Sequence, residues 1–122
     1  MTITRVNHLQ ITIPTGEEAA GRAFYCTLLG LTEIPKPDIL QANGGFWLAL
    51  DDGFQVHVGT EDDVDRAATK AHVAYEVDNV EPWREKLTAA GISVKDNTPY
   101  PGYMRIEFRD PFGNRVELIQ RV

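Results

Sequence analysis

The sequence predicts an α+β fold: two tandem βαβββ modules forming a mixed sheet with helices on its outer face. Three observations predict it. Segments of strict polar–apolar alternation bracket two segments of helical spacing, each helical segment ends on a glycine (Gly30, Gly91), and the order of elements in the first half recurs in the second. The chain of 122 residues reads as one domain, with module one at about 1–61 and module two at about 70–122.

In the first half, VNHLQITI (Val6 to Ile13) alternates, with Leu9, Ile11 and Ile13 on one face and His8, Gln10 and Thr12 on the other. Thr15 and Glu18 have the spacing of a capping box that opens a helix. Ala20, Phe24, Leu28 and Leu31 supply its apolar stripe, and Gly30 stands where a left-handed residue ends it. Leu31 to Ile34 reads as a short strand stopped by Pro35 and Pro37. Phe46 to Leu50 is the next, and Asp51, Asp52 and Gly53 turn into FQVHV (Phe54 to Val58), with Gln55 and His57 opposite Val56. Glu61 to Arg66 is an acidic, solvated link.

AHVAYEV (Ala71 to Val77) then alternates, with His72, Ala74 and Glu76 opposite Val73, Tyr75 and Val77. A helix starts near Asp78 or Asn79, accepts Pro82 in its first turn, buries Val80, Trp83, Leu87 and Ala90, and ends at Gly91. Ile92 to Val94 and Tyr103 to Arg109 are strands, and DPFGN (Asp110 to Asn114) turns into the last, Arg115 to Ile119.

Composition narrows the function. Twelve basic residues against eighteen acidic ones leave a net charge of −6, which offers no electrostatic footprint for a phosphate backbone, so nucleic acid is not the expected partner. One cysteine, Cys26, cannot form an intramolecular disulfide and reads as a structural thiol on the first helix. The longest apolar run, Phe46 to Leu50, cannot span a bilayer, and Met1 to Ile13 lacks the layout of a signal peptide; a cytoplasmic protein without a membrane partner is expected.

The polar residues align with the repeat. His8 and His72 lie 64 residues apart on the first strand of each half, and His57 and Glu117 lie 60 apart on the last. The apolar alternates on those strands must meet a helix, so these four side chains share the opposite face. A single histidine on a strand is ordinarily structural; joint placement at duplicated positions singles these four out. Three imidazoles and a carboxylate suit Zn²⁺, Ni²⁺, Co²⁺, Fe²⁺ or Mn²⁺, leaving room in an octahedral shell for a substrate with two adjacent oxygens.

HLQITI at His8, AHVAYEV at His72 and above all RDPFGNRVEL (Arg109 to Leu118) resemble the vicinal oxygen chelate superfamily, over essentially the whole chain. That group holds glyoxalase I, extradiol dioxygenases, fosfomycin-resistance enzymes and bleomycin-resistance binding proteins. The resemblance implies a cup-shaped sheet with one divalent ion in the cup, held from the first and last strands of each module, where His8, His57, His72 and Glu117 stand. Glyoxalase I usually has glutamate where His57 stands. Extradiol dioxygenases and thiol-transferring resistance enzymes use two histidines and one glutamate, which His8, His72 and Glu117 match. Glyoxalase-type proton transfer uses ligand carboxylates as bases, and here only Glu117 is available. The resemblance also implies a homodimer; if modules are exchanged, His8 and His57 come from one protomer and His72 and Glu117 from its partner.

Around this set, Arg105 and Glu107 alternate out of the apolar face of Tyr103–Arg109, as candidates for binding a substrate anion and for general-base work, or as a cross-strand charge ladder. Trp47 or Phe46 lines the pocket while the other is core, Tyr103 sits beside a turn-rich loop that begins at Tyr100, and Gln10 and Gln55 share faces with His8 and His57 as orienting partners. The expected function is that of a metal-dependent enzyme on a small oxygenated molecule: a lyase or isomerase, a ring-cleaving dioxygenase or an epoxide-opening transferase. The alternative is a protein that sequesters a small molecule in the same cup. A closed structural metal site fits less well, because such sites usually use cysteine.

Overall fold

A computed structural model describes all residues, Met1–Val122. They form two compact units, Met1–Val64 and Asp65–Val122. The first contains β1 (His8–Ile13), α1 (Glu18–Arg22), β2 (Thr32–Ile34), β3 (Phe46–Ala49) and β4 (Gln55–Thr60). Their order in the sheet is β1-β4-β3-β2, with β1 parallel to β4 and the other pairs antiparallel. Leu9 pairs with Val56 and Val56 with Leu48, while Ile11 pairs with Val58 and Val58 with Phe46, which puts the apolar alternates of three strands on one face. That face and the helical segment bury Ile13, Phe46, Leu48, Val56, Val58, Phe24, Tyr25 and Leu29. Gly21 lets the helix approach closely: a Cβ there would lie 3.0 Å from Phe46 Cζ and 3.2 Å from Ile13 Cδ1.

Two local expectations are corrected in this unit. Thr15 opens no capping box. Its backbone N–H and hydroxyl both donate to the Asp62 carboxylate, at 3.0 and 2.8 Å, and the helix starts three residues later without a side-chain cap. The acidic link is therefore tied down at Asp62, and again at Glu61, which accepts from the Thr12 hydroxyl. Second, α1 runs straight into a wider π turn, Ala23–Leu28. The extra residue shifts the stripe, so Gly21, Phe24, Tyr25 and Leu29 are buried while Ala20, Leu28 and Leu31 are half-exposed.

The second unit repeats the order with β5 (His72–Glu76), α2 (Val80–Ala89), β6 (Lys95–Asp96), β7 (Tyr103–Arg109) and β8 (Arg115–Arg121). The sheet order is β5-β8-β7-β6, again with the first pair parallel and the others antiparallel. Asn79 caps α2 by accepting from Glu81 N, and Gln120 on β8 accepts from Val80 N. Gly91, at φ +81°, closes the helix in a Schellman arrangement: Gly91 N bonds Thr88 O, and Ile92 N bonds Leu87 O. Val80 and Leu87 are buried as expected, Trp83 is half-buried, and Ala90 is exposed because the helix has already ended there. The strand expected at Ile92 to Val94 forms instead at Lys95–Asp96, since that closing turn consumes the intervening residues.

The DPFGN turn is organised by Asp110, which is 5% exposed and accepts from Phe112 N, Asn114 N and Asn114 Nδ2 at 2.8–2.9 Å. Asp110→Ala should cost about 2–3 kcal/mol in urea unfolding, because buried donors lose their acceptor; an unchanged midpoint would contradict that role. Gly45 holds φ +81°, and a Cβ there would fall 1.9 Å from Val58 O. Gly45→Ala should therefore destabilise by on the order of 2–3 kcal/mol, from overlap plus left-handed strain. A loss below about 0.5 kcal/mol would mean that β3 shifts to admit the methyl.

Candidate functional site

In the first unit the sheet face opposite the helix is set by register. His57 pairs with Gln10 on one side and Trp47 on the other, and His8 pairs with Gln55, so these five side chains share the face. Trp47 and His57, directly cross-strand, stack at 3.8 Å between centroids and 2° between planes. His8 lies diagonally across the parallel pair and stacks on the other side of His57, at 4.2 Å and 20°. Phe46 is buried in the core, so Trp47 is the aromatic on the polar face. His57 is 7% exposed, and its Nε2 is 2.9 Å from Gln55 Oε1. Burial, followed by the charges of His8 and Lys36, pushes its imidazole below the usual histidine value. Gln10, by contrast, lies against Gly59.

The two histidines of the first strands are held alike. His8 Nδ1 is 2.9 Å from Asn7 Oδ1, and His72 Nδ1 is 2.9 Å from the Lys70 carbonyl. These oxygens only accept, so Nδ1 carries the proton and Nε2 of the neutral ring presents its lone pair. This is how metal-binding imidazoles are commonly oriented.

In the second unit Ala74 pairs with Glu117, and its small side chain leaves room for His72 to reach the carboxylate. Glu117 is 2% exposed. His72 Nε2 lies 2.9 Å from its Oε2, and Arg105 Nη1 lies 3.2 Å from its Oε1. With Nδ1 donating to Lys70, the Nε2 lone pair of a neutral His72 points at an ionised oxygen. Two acceptors at this distance require something positive between them: a second proton on the ring or a cation. At 2.9 Å a proton there makes a charged hydrogen bond, and an imidazole nitrogen beside a carboxylate oxygen is also donor chemistry that suits a divalent ion. The donor set thus fits a divalent ion. Each unit brings together two of the four candidates, His8 with His57 and His72 with Glu117, and neither gathers three.

Glu107 pairs cross-strand with Glu117 and is 3% exposed. Two like charges in register are offset separately: Glu107 contacts Lys95 at 3.0 Å and Arg115, while Glu117 has Arg105. Burial alone would raise the Glu107 carboxyl, but the Lys95 hydrogen bond and the charges of Arg115, Lys95 and Arg109 outweigh it and hold it below the usual carboxylate range. Arg105 is fixed further by donating from Nε and Nη2 to the Thr98 carbonyl, and it lies over the Tyr100 ring. Tyr103 meets Tyr100 edge-on at 4.7 Å. Arg105, Tyr103, Tyr100 and Asn97 share the wall of an open cavity of about 180 Å³. Cys26 is half-buried on the helical segment, its thiol pushed up by burial. The role of Arg115 was not legible in the sequence, where it stood only as the first residue of a strand. Nor was the orienting role of the Lys70 carbonyl, a backbone atom with no residue signature.

Residues 5–118 match the family model described as the Glyoxalase/Bleomycin resistance protein/Dioxygenase superfamily. No curated protein matches the chain. Among solved structures, a glyoxalase-family protein of Bacillus anthracis is similar over 100% of this chain and 98% of its own, with 34% identity and a TM-score of 0.90. The fosfomycin resistance protein FosX of Listeria monocytogenes, complexed with Mn(II) and sulfate, covers 99% and 93% at 18% identity and TM-score 0.77. TnmS3, an antibiotic binding protein of Streptomyces sp. CB03234, covers 100% and 99% at 18% identity and TM-score 0.75. At 18% identity the likeness is one of fold. The family match over nearly the whole chain, together with the repeated βαβββ order, places this protein in the Glyoxalase/Bleomycin resistance protein/Dioxygenase superfamily, the vicinal oxygen chelate group.

Proposed function

We propose that this chain is a divalent-metal-dependent enzyme acting on a small molecule chelated through vicinal oxygens. The reaction is of the lyase or isomerase, ring-cleaving dioxygenase or epoxide-opening transferase type. The observation that carries the reading is the approach of His72 Nε2 to the buried Glu117 Oε2 at 2.9 Å, with Nδ1 turned to the Lys70 carbonyl. The ligands would be Nε2 of His8, Nε2 of His72 and the Glu117 carboxylate, with Zn, Ni, Co, Fe or Mn as the metal. FosX, of the same fold, was crystallised with Mn(II). Such an ion, when bound, polarises a chelated oxygen and lowers the pKa of bound water.

The chain's own residues divide the remaining work. Arg105 grips Glu117 through Nη1 and Thr98 through Nε and Nη2, which leaves one N–H on each terminal nitrogen for a substrate carboxylate or phosphonate. Tyr103 and Tyr100 supply aromatic wall beside it, and Trp47, stacked on His57 on the polar face of the first unit, is the substrate-facing aromatic there. Glu107 is a poor proton acceptor, because Lys95 and Arg115 hold its carboxyl below the usual carboxylate range, so general-base work is assigned to Glu117 by its place in the donor set. Each sheet also has two edge strands, β1 and β2 in the first unit and β5 and β6 in the second, and such edges favour association, here into a homodimer.

A second reading, sequestration of a small molecule without chemistry, draws on the cavity with aromatic walls and on the fold shared with TnmS3. Metal content separates the two. Protein incubated with Zn²⁺, Ni²⁺, Fe²⁺ or Mn²⁺ and then desalted should retain near one ion per chain by mass spectrometry, lost in His8→Ala and in Glu117→Ala. Activity should then be found among diols, epoxides and α-hydroxycarbonyls. Retention of no ion would end the enzyme reading. In the ultracentrifuge the protein should sediment at twice its 13.6 kDa chain mass, and a stable monomer would remove the dimer.

A further inference from the structure

Of the four polar residues at duplicated positions, His57 differs from the rest in its surroundings. His8 is exposed on the sheet face, whereas His57 is closed on both ring faces, by Trp47 at 3.8 Å and His8 at 4.2 Å. Its Nε2 is engaged by Gln55 Oε1. A metal ion lies in the plane of an imidazole that binds it, about 2.1 Å from the nitrogen. The His8 and His57 planes are tilted by only 20°, and their centroids are 4.2 Å apart. Stacked rings so nearly parallel have no point common to both planes within bonding distance of a nitrogen on each. His57 therefore cannot join His8 on one ion while the stack stands.

We infer that His57 is a positioning residue that holds the His8 ring in place by stacking, with Trp47 as the backstop, and is not itself a ligand. The metal part of this inference rests on the proposed function; the stack does not. The Asn7 contact at Nδ1 fixes which His8 nitrogen carries the proton, but it comes from the adjacent, exposed residue and leaves the ring free to swing. The flat face of His57 removes that freedom. Trp47 does the same for His57, because it is directly cross-strand and within 2° of parallel. Three rings in a row thus carry rigidity from the middle of the sheet to its edge strand, where His8 is the first residue of β1. An aromatic ring without nitrogen should serve in the middle position.

Two readouts test this. In the metal-free protein, the His8 ring protons should be shifted upfield by stacking; His57→Ala should move them toward random-coil values, and His57→Phe should restore most of the shift. With Zn²⁺ or Mn²⁺ as the probe, His57→Phe should bind within about threefold of wild type, while His57→Ala should bind 10- to 100-fold more weakly, the loss expected when an orienting partner is removed (roughly 10–100-fold). Trp47→Leu, which keeps both histidines, should fall between them and serves if His57→Ala does not fold. Loss of metal in His57→Phe as complete as in His8→Ala would make His57 a ligand and overturn the inference. So would His8 resonances that do not move in folded His57→Ala. If wild-type protein binds no metal, the proposed function fails, and the metal-free resonances alone decide the stack.

Discussion

One helix covering one face of a four-stranded sheet is the constraint on which the rest depends. Because strand side chains alternate, committing Leu48, Val56, Val58 and Phe46 to the helix sends Gln55, His57, Ala49 and Trp47 to the other face without further choice. The same holds in the second unit, where Val116, Leu118, Ile106 and Phe108 face the helix and Arg115, Glu117, Arg105 and Glu107 do not. A one-residue slip in either sheet would bury a histidine or glutamate against the helix. The core therefore fixes the register, and the register fixes which polar groups meet. Function in this fold is a consequence of what the core leaves over.

What meets on that face of the second unit is charged, and its two buried carboxylates are partnered differently. Glu107 has two cationic partners, Lys95 and Arg115, and is satisfied within its own unit. Glu117, in register beside it, has Arg105 on one oxygen and a histidine on the other. That histidine also donates from Nδ1 to the Lys70 carbonyl. A buried carboxylate against that imidazole calls for a positive charge between them, a second ring proton or a cation, so this is a position where a cation can replace a proton. In the first unit the arrangement is three stacked rings, one of which presents Nε2.

Much of this was legible in the sequence, and what was not has identifiable causes. Alternation in HLQITI, AHVAYEV and YMRIEFR gave strands with the correct faces, because a half-buried strand leaves that pattern and little else does. Gly30 and Gly91 marked both helix ends because only glycine takes φ +81° without strain. Thr15 misled: a capping hydroxyl and a hydroxyl bonded across a loop to Asp62 have the same local sequence, and the partner 47 residues away decides between them. The π turn after Arg22 was invisible, since one added residue changes which apolar side chains are buried without changing which residues are apolar. The four polar residues of the face could be named, but their differences could not. His8, His57 and His72 are equivalent as letters and are separated only by what touches Nδ1, Nε2 and the ring faces.

The central proposal is that a divalent ion is taken by Nε2 of His8 and by Nε2 of His72. The most direct measurement is a long-range proton–nitrogen correlation spectrum of the histidine rings, recorded while Zn²⁺ is added. The account predicts that the Nε2 signals of His8 and His72 shift together and saturate at the same equivalents, while both His57 nitrogens keep their positions. Separate saturation of His8 and His72, or a shift centred on Nδ1 of either, would contradict it.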